Sequence, residues 1–272
     1  MTKGNLGVIV CPILEDELVY NLANDNEEKN IFLLESDNSI EISEKMTSKG
    51  IKHTIFDERM FLNGMEPVPE DSYNIIILMK EMSLHSEPEI LKENLRDTLR
   101  FMQSKVDAFA LYYGLCGNAN KGIEEWAKEN LEVPVAIFKD RCGNTCDDCI
   151  GVAVGGTDRY YELQKKHTGV LYYTPAMATK WRDFFGNEEM FKGGDTKDYS
   201  RLKLILDMCD YHDVMIIPTG LGDKDAFLAA VDDFSREFDF NILQLEDGWV
   251  TLDPTIKLHE DSKSLLKERQ DA

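Results

Sequence analysis

Positive charge is scarce in this chain. Its 30 Lys and Arg residues stand against 51 Asp and Glu, a formal net charge of −21 with a sequence pI near 4.6. Such a surface repels phosphate backbones and anionic membranes, so neither nucleic acid nor a lipid surface is an expected partner. It steers cationic ligands or basic proteins inward, unless the acidity serves solubility alone. Long apolar runs are also missing. No stretch approaches the ~20 residues of a spanning helix, and Met1 to Gly7 lacks the charged, apolar and small-residue order of a secretory leader. The expected compartment is the cytoplasm, where clustered cysteines are more often metal ligands or reactive thiols than structural disulfides. Catalytic signatures are absent as well. There is no H-E-x-x-H, G-x-S-x-G, P-loop or G-x-G-x-x-G, which leaves serine nucleophiles, P-loop phosphoryl transfer and ordinary dinucleotide binding without support.

What the chain does have is enough apolar residues, 43% of 272, to fill a sizeable core. Short β-like runs alternate with helical stretches. Residues 7–11, 31–34, 51–56, 108–113 and 133–138 read as strands, and the unbroken apolar run 73–79 as a strand buried on both faces. Between them, residues 15–22, 40–49 and 89–106 carry helical spacing, the last with Ile90, Leu91, Leu95, Leu99 and Met102 on one face. The second half repeats the pattern, with strands at 170–174, 213–217 and 240–245, helices at 176–185, 199–209 and 225–238, and a helical tail after Asp253. The expectation is an α/β fold of parallel sheets with flanking helices, in two related halves, 1–150 and 151–272, with a cleft between them. The segments YYGLCGNANKGIEEW and PTGLGDKDAFLAAV each follow a strand, carry glycines and open a helix. If the halves are related, both turns face one cleft at the carboxyl ends of the strands. Two unrelated turns that both use glycine explain the same echo.

Three of the six cysteines fall in RCGNTCDDC, residues 141–149. With Cys116, which ends a strand in YGLCGNA, the thiols of Cys142, Cys146 and Cys149 form a four-sulfur set suited to zinc or an iron–sulfur cluster. Arg141 offsets thiolate charge, whereas Asp147 and Asp148 oppose an anionic cluster. The competing reading leaves Cys116 and Cys149 functional or buried, with Cys142 and Cys146 as loop thiols or a reversible disulfide. C-x3-C-x2-C is also the spacing of radical S-adenosylmethionine enzymes, but the chain after Cys149 is short of the ~200 residues a β/α barrel needs, and Asp148 replaces the usual aromatic. Cys11 reads as a small buried hydrophobe in a strand. Cys209, Asp210 and His212 read as a polar helix end, with a second metal pair as the alternative. The five histidines are scattered.

Around the expected cleft, Gly114, Gly117, Gly220 and Gly222 permit close approach by a ligand. Asn118 and Asp223 either cap helices or present polar groups. Tyr172, Tyr173, Thr174 and Trp181 surround a further strand end, as pocket walls or as ordinary packing.

LYYGLCGNA, DDCIGVAVGGTDRYYEL and TGVLYYTPAMATKWRDFFG, in that order over roughly residues 70–250, resemble the family called domain of unknown function 1638. That resemblance implies an α/β protein of anaerobes and methanogens, often encoded near corrinoid-dependent methyltransferases, with Cys116, Asp148 and Cys149 at matching motif positions. Here a longer loop bearing Cys142 and Cys146 replaces a histidine found before the Asp-Cys pair. The functional expectation is therefore a metal- or cluster-binding protein of corrinoid-linked methyl metabolism, with a corrinoid as ligand or carried by a partner protein or methyltransferase. The alternatives are a non-catalytic accessory or cofactor-binding protein and a thiol redox sensor.

Overall fold

The apolar run at residues 73–79 becomes a strand with every residue buried, and the sheet is built outward from it. In the computed structural model, which describes residues 2–186 and 199–270, the chain runs β1 (Gly4–Val10), α1 (Glu15–Asn24), β2 (Asn30–Leu34), α2 (Ser39–Ser48), β3 (Thr54–Phe56), α3 (Glu58–Leu62), β4 (Tyr73–Met79), α4 (Pro88–Met102), β5 (Ala108–Tyr112), α5 (Ile123–Asn130) and β6 (Val135–Ile137). It continues through α6 (Cys149–Val154), α7 (Thr157–Lys166), β7 (Val170–Tyr173), α8 (Pro175–Thr179), α9 (Trp181–Gly186), α10 (Ser200–Met208), β8 (Asp213–Ile216), α11 (Lys224–Phe238), β9 (Asn241–Gln244) and α12 (Asp253–Gln270).

Six strands form one sheet in the order β3-β2-β4-β1-β5-β6, and three form a second in the order β7-β8-β9. Every ladder is parallel, which is why each strand is followed by a crossover and usually by a helix. The α/β architecture with parallel sheets is thus the one the alternation implies. The halves are unequal, six strands against three. The second segment also returns a helix to the first: α12 lies against α1, β1, β5 and β6, with Leu258 and Leu266 sealed in the large core.

The two ends of the large sheet differ in chemistry. At the amino ends an amide ladder closes the edge: Asn30 Nδ2 donates to Asn74 Oδ1, and Asn74 Nδ2 donates to Asn5 Oδ1. At the carboxyl ends the chain leaves β1 toward β2 and leaves β5 toward β6, in opposite directions. A crevice opens where such exits diverge.

The small sheet is joined to this region through charge. The first turn of α1 buries Glu15, Asp16 and Glu17. Lys45 of α2 reaches Glu15 Oε1 at 2.8 Å and Asp16 Oδ1 at 2.9 Å, and Lys180, at the end of α8, reaches Glu15 Oε1 at 2.9 Å and also pairs with Glu41. Burial of unpaired carboxylates is costly, so such acids persist inside only with cations at hand. Here the acids outnumber the two lysines. Glu17 is left over, with Oε2 buried and without a partner among the described residues and its carboxyl pushed up to about 8 by burial and by Asp16 beside it.

The expected helix at 176–185 is two short helices, α8 and α9, with Lys180 between them. Trp181 drops into an aromatic core with Phe234 and Phe238, 5.3 and 5.6 Å between ring centres. The expected strand at 51–56 shortens to β3, and the helix at 89–106 ends at Met102 with a 3-10 turn after it.

Candidate functional site at the carboxyl ends of β4, β1, β5 and β6

Four side chains with sulfur or imidazole chemistry leave neighbouring strands of the large sheet. Cys11 directly follows β1. His85 lies in the 3-10 turn Met82–Ser86 after β4. Cys116 sits in the turn after β5, and Cys149 opens α6 beyond β6. All four line one cavity of ≈ 670 Å³, a volume in the range of small-molecule sites. Its far wall is β7, the edge strand of the small sheet, and the loop before it.

The local chain explains how Cys116 and Cys149 come together. Leu115 N–H donates to Cys146 O at 2.9 Å and Cys116 N–H to Asp147 O at 2.8 Å, so the turn after β5 is zipped to the segment leading into α6. Gly114 makes this contact possible. A Cβ there would sit 2.8 Å from Cys146 O, Asp147 O and Asp148 Cα. The zipped turn then runs left-handed through Cys116, Gly117 and Asn118, at φ of 47°, 66° and 69°. For a non-glycine residue such a conformation costs about 1–3 kcal/mol and marks a position held by its surroundings. Asp148 caps α6, its Oδ1 accepting from Ile150 N–H at 2.8 Å and Gly151 N–H at 2.9 Å.

Cys11 Sγ and His85 Nε2 are 3.4 Å apart, and His85 Nδ1 is 3.2 Å from Met82 O. With the Nδ1 proton given to Met82 O, Nε2 becomes an acceptor for a thiol proton. The His85 ring stacks on Tyr113, 5.9 Å between centres and 14° between planes. Burial pulls the His85 pKa down, but a hydrogen bond and charge interaction with Cys116, together with Met82 O, raise it above its usual value. Burial pushes the thiols the other way from reactivity. Cys11 rises to about 12, opposed only in part by the Ile13 and Leu14 amides and reinforced by Glu15 and Glu17. Cys116 is raised by burial in spite of His85, and Cys149 by burial and then by Asp148. The resting site holds neutral thiols, and only a bound cation or a protonated imidazole makes a thiolate favourable there.

The four-thiol site expected from the cysteine loop is not gathered. Cys142 is exposed and Cys146 is fully buried among sheet residues, and neither lines the cavity. The reason is a tight loop: Cys146 N–H donates to Phe138 O, while Asp140 Oδ1 accepts from the backbone N–H of Cys142 and of Asn144. This turns Cys142 outward. Among the described residues, no three or more His, Cys, Asp and Glu side chains are placed to hold a metal ion.

Other expected site residues divide. Gly117, Asp148 and Tyr172 line the cavity. Gly114 serves chain packing rather than ligand approach. Asn118 is exposed and caps nothing, since α5 starts later with Gly122 at its N-cap; the buried amide nearby is Asn120, which donates to Gly114 O. Arg141 points outward to Asp253 at 2.5 Å. Thr174 and Asp223 are N-caps, of α8 and α11. Trp181 is core, its Nε1 donating to Asp233. Gly220, Gly222 and Asp223 line a different cavity of ≈ 610 Å³, against α1 and α2. The two glycine turns therefore do not share a cleft. The thiol cavity takes β7 and the chain on both sides of it, but no residue of the turn after β8.

A family model described as Protein of unknown function (DUF1638) matches residues 79–256, more than half of the chain. The chain belongs to that family. The matched span contains His85, Cys116, Asp148, Cys149 and the β7 wall, whereas Cys11 comes to the DUF1638 site from outside it. No curated protein and no solved structure matched the chain. Among the described residues no helix is long and apolar enough to cross a membrane.

Cys11 and His85 are the members of the site that sequence spacing did not disclose. One lies at the end of an apolar strand and the other in a turn 74 residues away. Only the insertion of β4 beside β1 makes them neighbours.

Proposed function

We propose that this DUF1638 protein uses the cavity to hold a soft metal centre serving corrinoid-linked methyl chemistry, with Cys11, His85, Cys116 and Cys149 as the donors. The observation that carries the reading is their convergence from four adjacent strand ends onto one cavity. Three thiols and one imidazole make a donor set of zinc type, whereas iron–sulfur clusters generally call for four cysteines. Zinc in such a site supplies Lewis acidity that keeps a coordinated thiol deprotonated at neutral pH. The protein's own part is to present the donors, which must turn toward a common point and release their protons, and to exclude water with the apolar wall above them. Affinity should therefore fall as pH falls, because each thiolate regains its proton. A corrinoid would approach on a partner, since the cavity has the size of a smaller ligand's site.

Elemental analysis of anaerobically purified full-length protein tests this. Near-stoichiometric zinc in the wild type, lost in Cys11→Ser, Cys116→Ser and Cys149→Ser but kept in Cys142→Ser, is the expected result. A metal-free wild type, or loss in Cys142→Ser equal to the others, overturns it.

One observation favours a second reading. As placed, no three donors are grouped to hold an ion, which suits a metal-free accessory protein that binds a corrinoid protein or methyltransferase without turnover. Stoichiometric binding of such a partner by zinc-free wild type selects it. The thiol-sensor reading is disfavoured, because Cys142 is exposed while Cys146 is sealed in the core.

A further inference from the structure

The wall of the thiol cavity facing Cys116 and Cys149 is aromatic. Tyr160, Tyr172, Tyr173, Phe184, Phe185 and Tyr211 all line it, and among the described residues no lysine or arginine does. Tyr160 and Tyr172 meet edge to face at 5.8 Å, as do Phe184 and Phe185 at 5.2 Å. Gln164, His167 and Thr168 also line the cavity, and two further polar groups there are left short of partners among the described residues. Asp148 spends Oδ1 on both amides of the α6 turn, and Oδ2 accepts no hydrogen bond among the described residues. The hydroxyl of Tyr173, a residue 1% exposed, is buried without a partner.

We infer that the ligand admitted here is a small methylated onium cation, a quaternary ammonium or tertiary sulfonium; this rests on the cavity being the functional site, as proposed above. Three classes are excluded by what lines the cavity. A phosphate or polycarboxylate ligand would meet the Asp148 carboxylate with no lysine or arginine among the described lining residues to balance it, only the imidazoles of His85 and His167, and the α6 amides that might have bound an anion are already used. A neutral apolar ligand would cover the Asp148 carboxylate and offer nothing to its Oδ2, the oxygen that the α6 amides leave unused. A primary ammonium brings N–H groups that need several acceptors and would give up strong hydration to enter an apolar space. A methylated onium has neither difficulty. Its charge is spread over methyl groups, it is weakly hydrated, and aromatic faces with a nearby carboxylate are the surroundings that bind it best. The overall charge of −21 draws it in.

Calorimetric titration of the full-length protein with choline, and in parallel with its uncharged carbon isostere 3,3-dimethylbutan-1-ol, separates charge from shape. Choline is expected to bind at least about tenfold more tightly than the alcohol. Asp148→Asn retains a capping side chain and should weaken choline by about tenfold while leaving the alcohol unchanged. Phe185→Leu, which keeps an apolar wall, should do the same to a smaller degree. Equal binding of the two compounds, no binding of choline at millimolar concentration, or an Asp148→Asn variant that binds choline like wild type overturns the inference. Zinc content measured on the same samples keeps the outcomes apart. Choline selectivity in metal-free protein refutes the metal reading alone, and zinc without selectivity refutes the ligand class alone.

Discussion

Replacing Gly114 with alanine should be among the most damaging single-methyl changes in the molecule. The added Cβ would lie 2.8 Å from three backbone atoms, Cys146 O, Asp147 O and Asp148 Cα. Main chain cannot swing aside as a side-chain tip can, so the turn after β5 must part from the segment entering α6. Overpacking of this kind costs about 1–3 kcal/mol. The separation also weakens the bonds Leu115 N–H to Cys146 O and Cys116 N–H to Asp147 O, each worth ~1 kcal/mol net. Together these come to about 3–5 kcal/mol, a fall in Tm of roughly 5–10 °C for a chain of this size. Gly151 is the internal control. It lies in α6, and a Cβ there meets its nearest neighbours at 3.7–3.9 Å, ordinary contact. Alanine in a helix interior outperforms glycine by roughly 0.5–1 kcal/mol, so Gly151→Ala should melt slightly higher than wild type. Thermal unfolding followed by circular dichroism reads both, and the rate of Cys116 alkylation in the native state reads the local opening. If Gly114→Ala melts within about 2 °C of wild type, or if the two variants shift in the same direction, the zipped-turn account of how Cys116 is positioned is wrong.

Glu17→Gln should change the pH dependence of stability. The folded carboxyl titrates at about 8 against 4.5 for the free side chain. Between those values the folded state holds a proton that the unfolded chain has released, so wild-type stability falls as pH rises from about 4.5 to about 8. Glutamine removes that contribution; urea midpoints of wild type and variant should diverge from about pH 5 to about pH 8, and parallel curves would rule the account out. Lys180→Met leaves Glu15, 1% exposed, and Glu41 to share Lys45 with Asp16. A loss of about 2–3 kcal/mol is expected, recovered in part by adding Glu15→Gln; denaturant unfolding of the single and double variants decides, and a loss below ~0.5 kcal/mol refutes the clamp.

The β-strands of the large sheet were legible because parallel, doubly covered strands need continuous apolar runs, as residues 73–79 show. α4 was legible because Leu91, Leu95, Leu99 and Met102 keep one face. The tight loop around Cys142 and Cys146 was not, because its shape depends on the Asp140 carboxylate gathering two amides and not on the cysteines. Cysteine spacing therefore pointed to thiols that are adjacent in the chain but face opposite ways. Cys116 was legible because it ends a strand in the region where parallel sheets place their ligands, whereas Cys149 came from the same spacing that drew in Cys142 and Cys146, and from the family motif it shares with Cys116. Cys11 and His85 required knowledge of strand order. No local pattern says that β4 slips between β2 and β1, and without that step the imidazole and the first thiol have no reason to meet.

The return of α12 to the large sheet has a bearing on how the protein is made. Leu258 and Leu266 close a face whose strands begin at residue 4, and His259 and Lys263 bind Asp25 at the end of α1. A nascent chain emerging from the ribosome must keep that apolar face unsealed until α12 has been synthesised. Removing α12 would expose the earliest-made layer to aggregation.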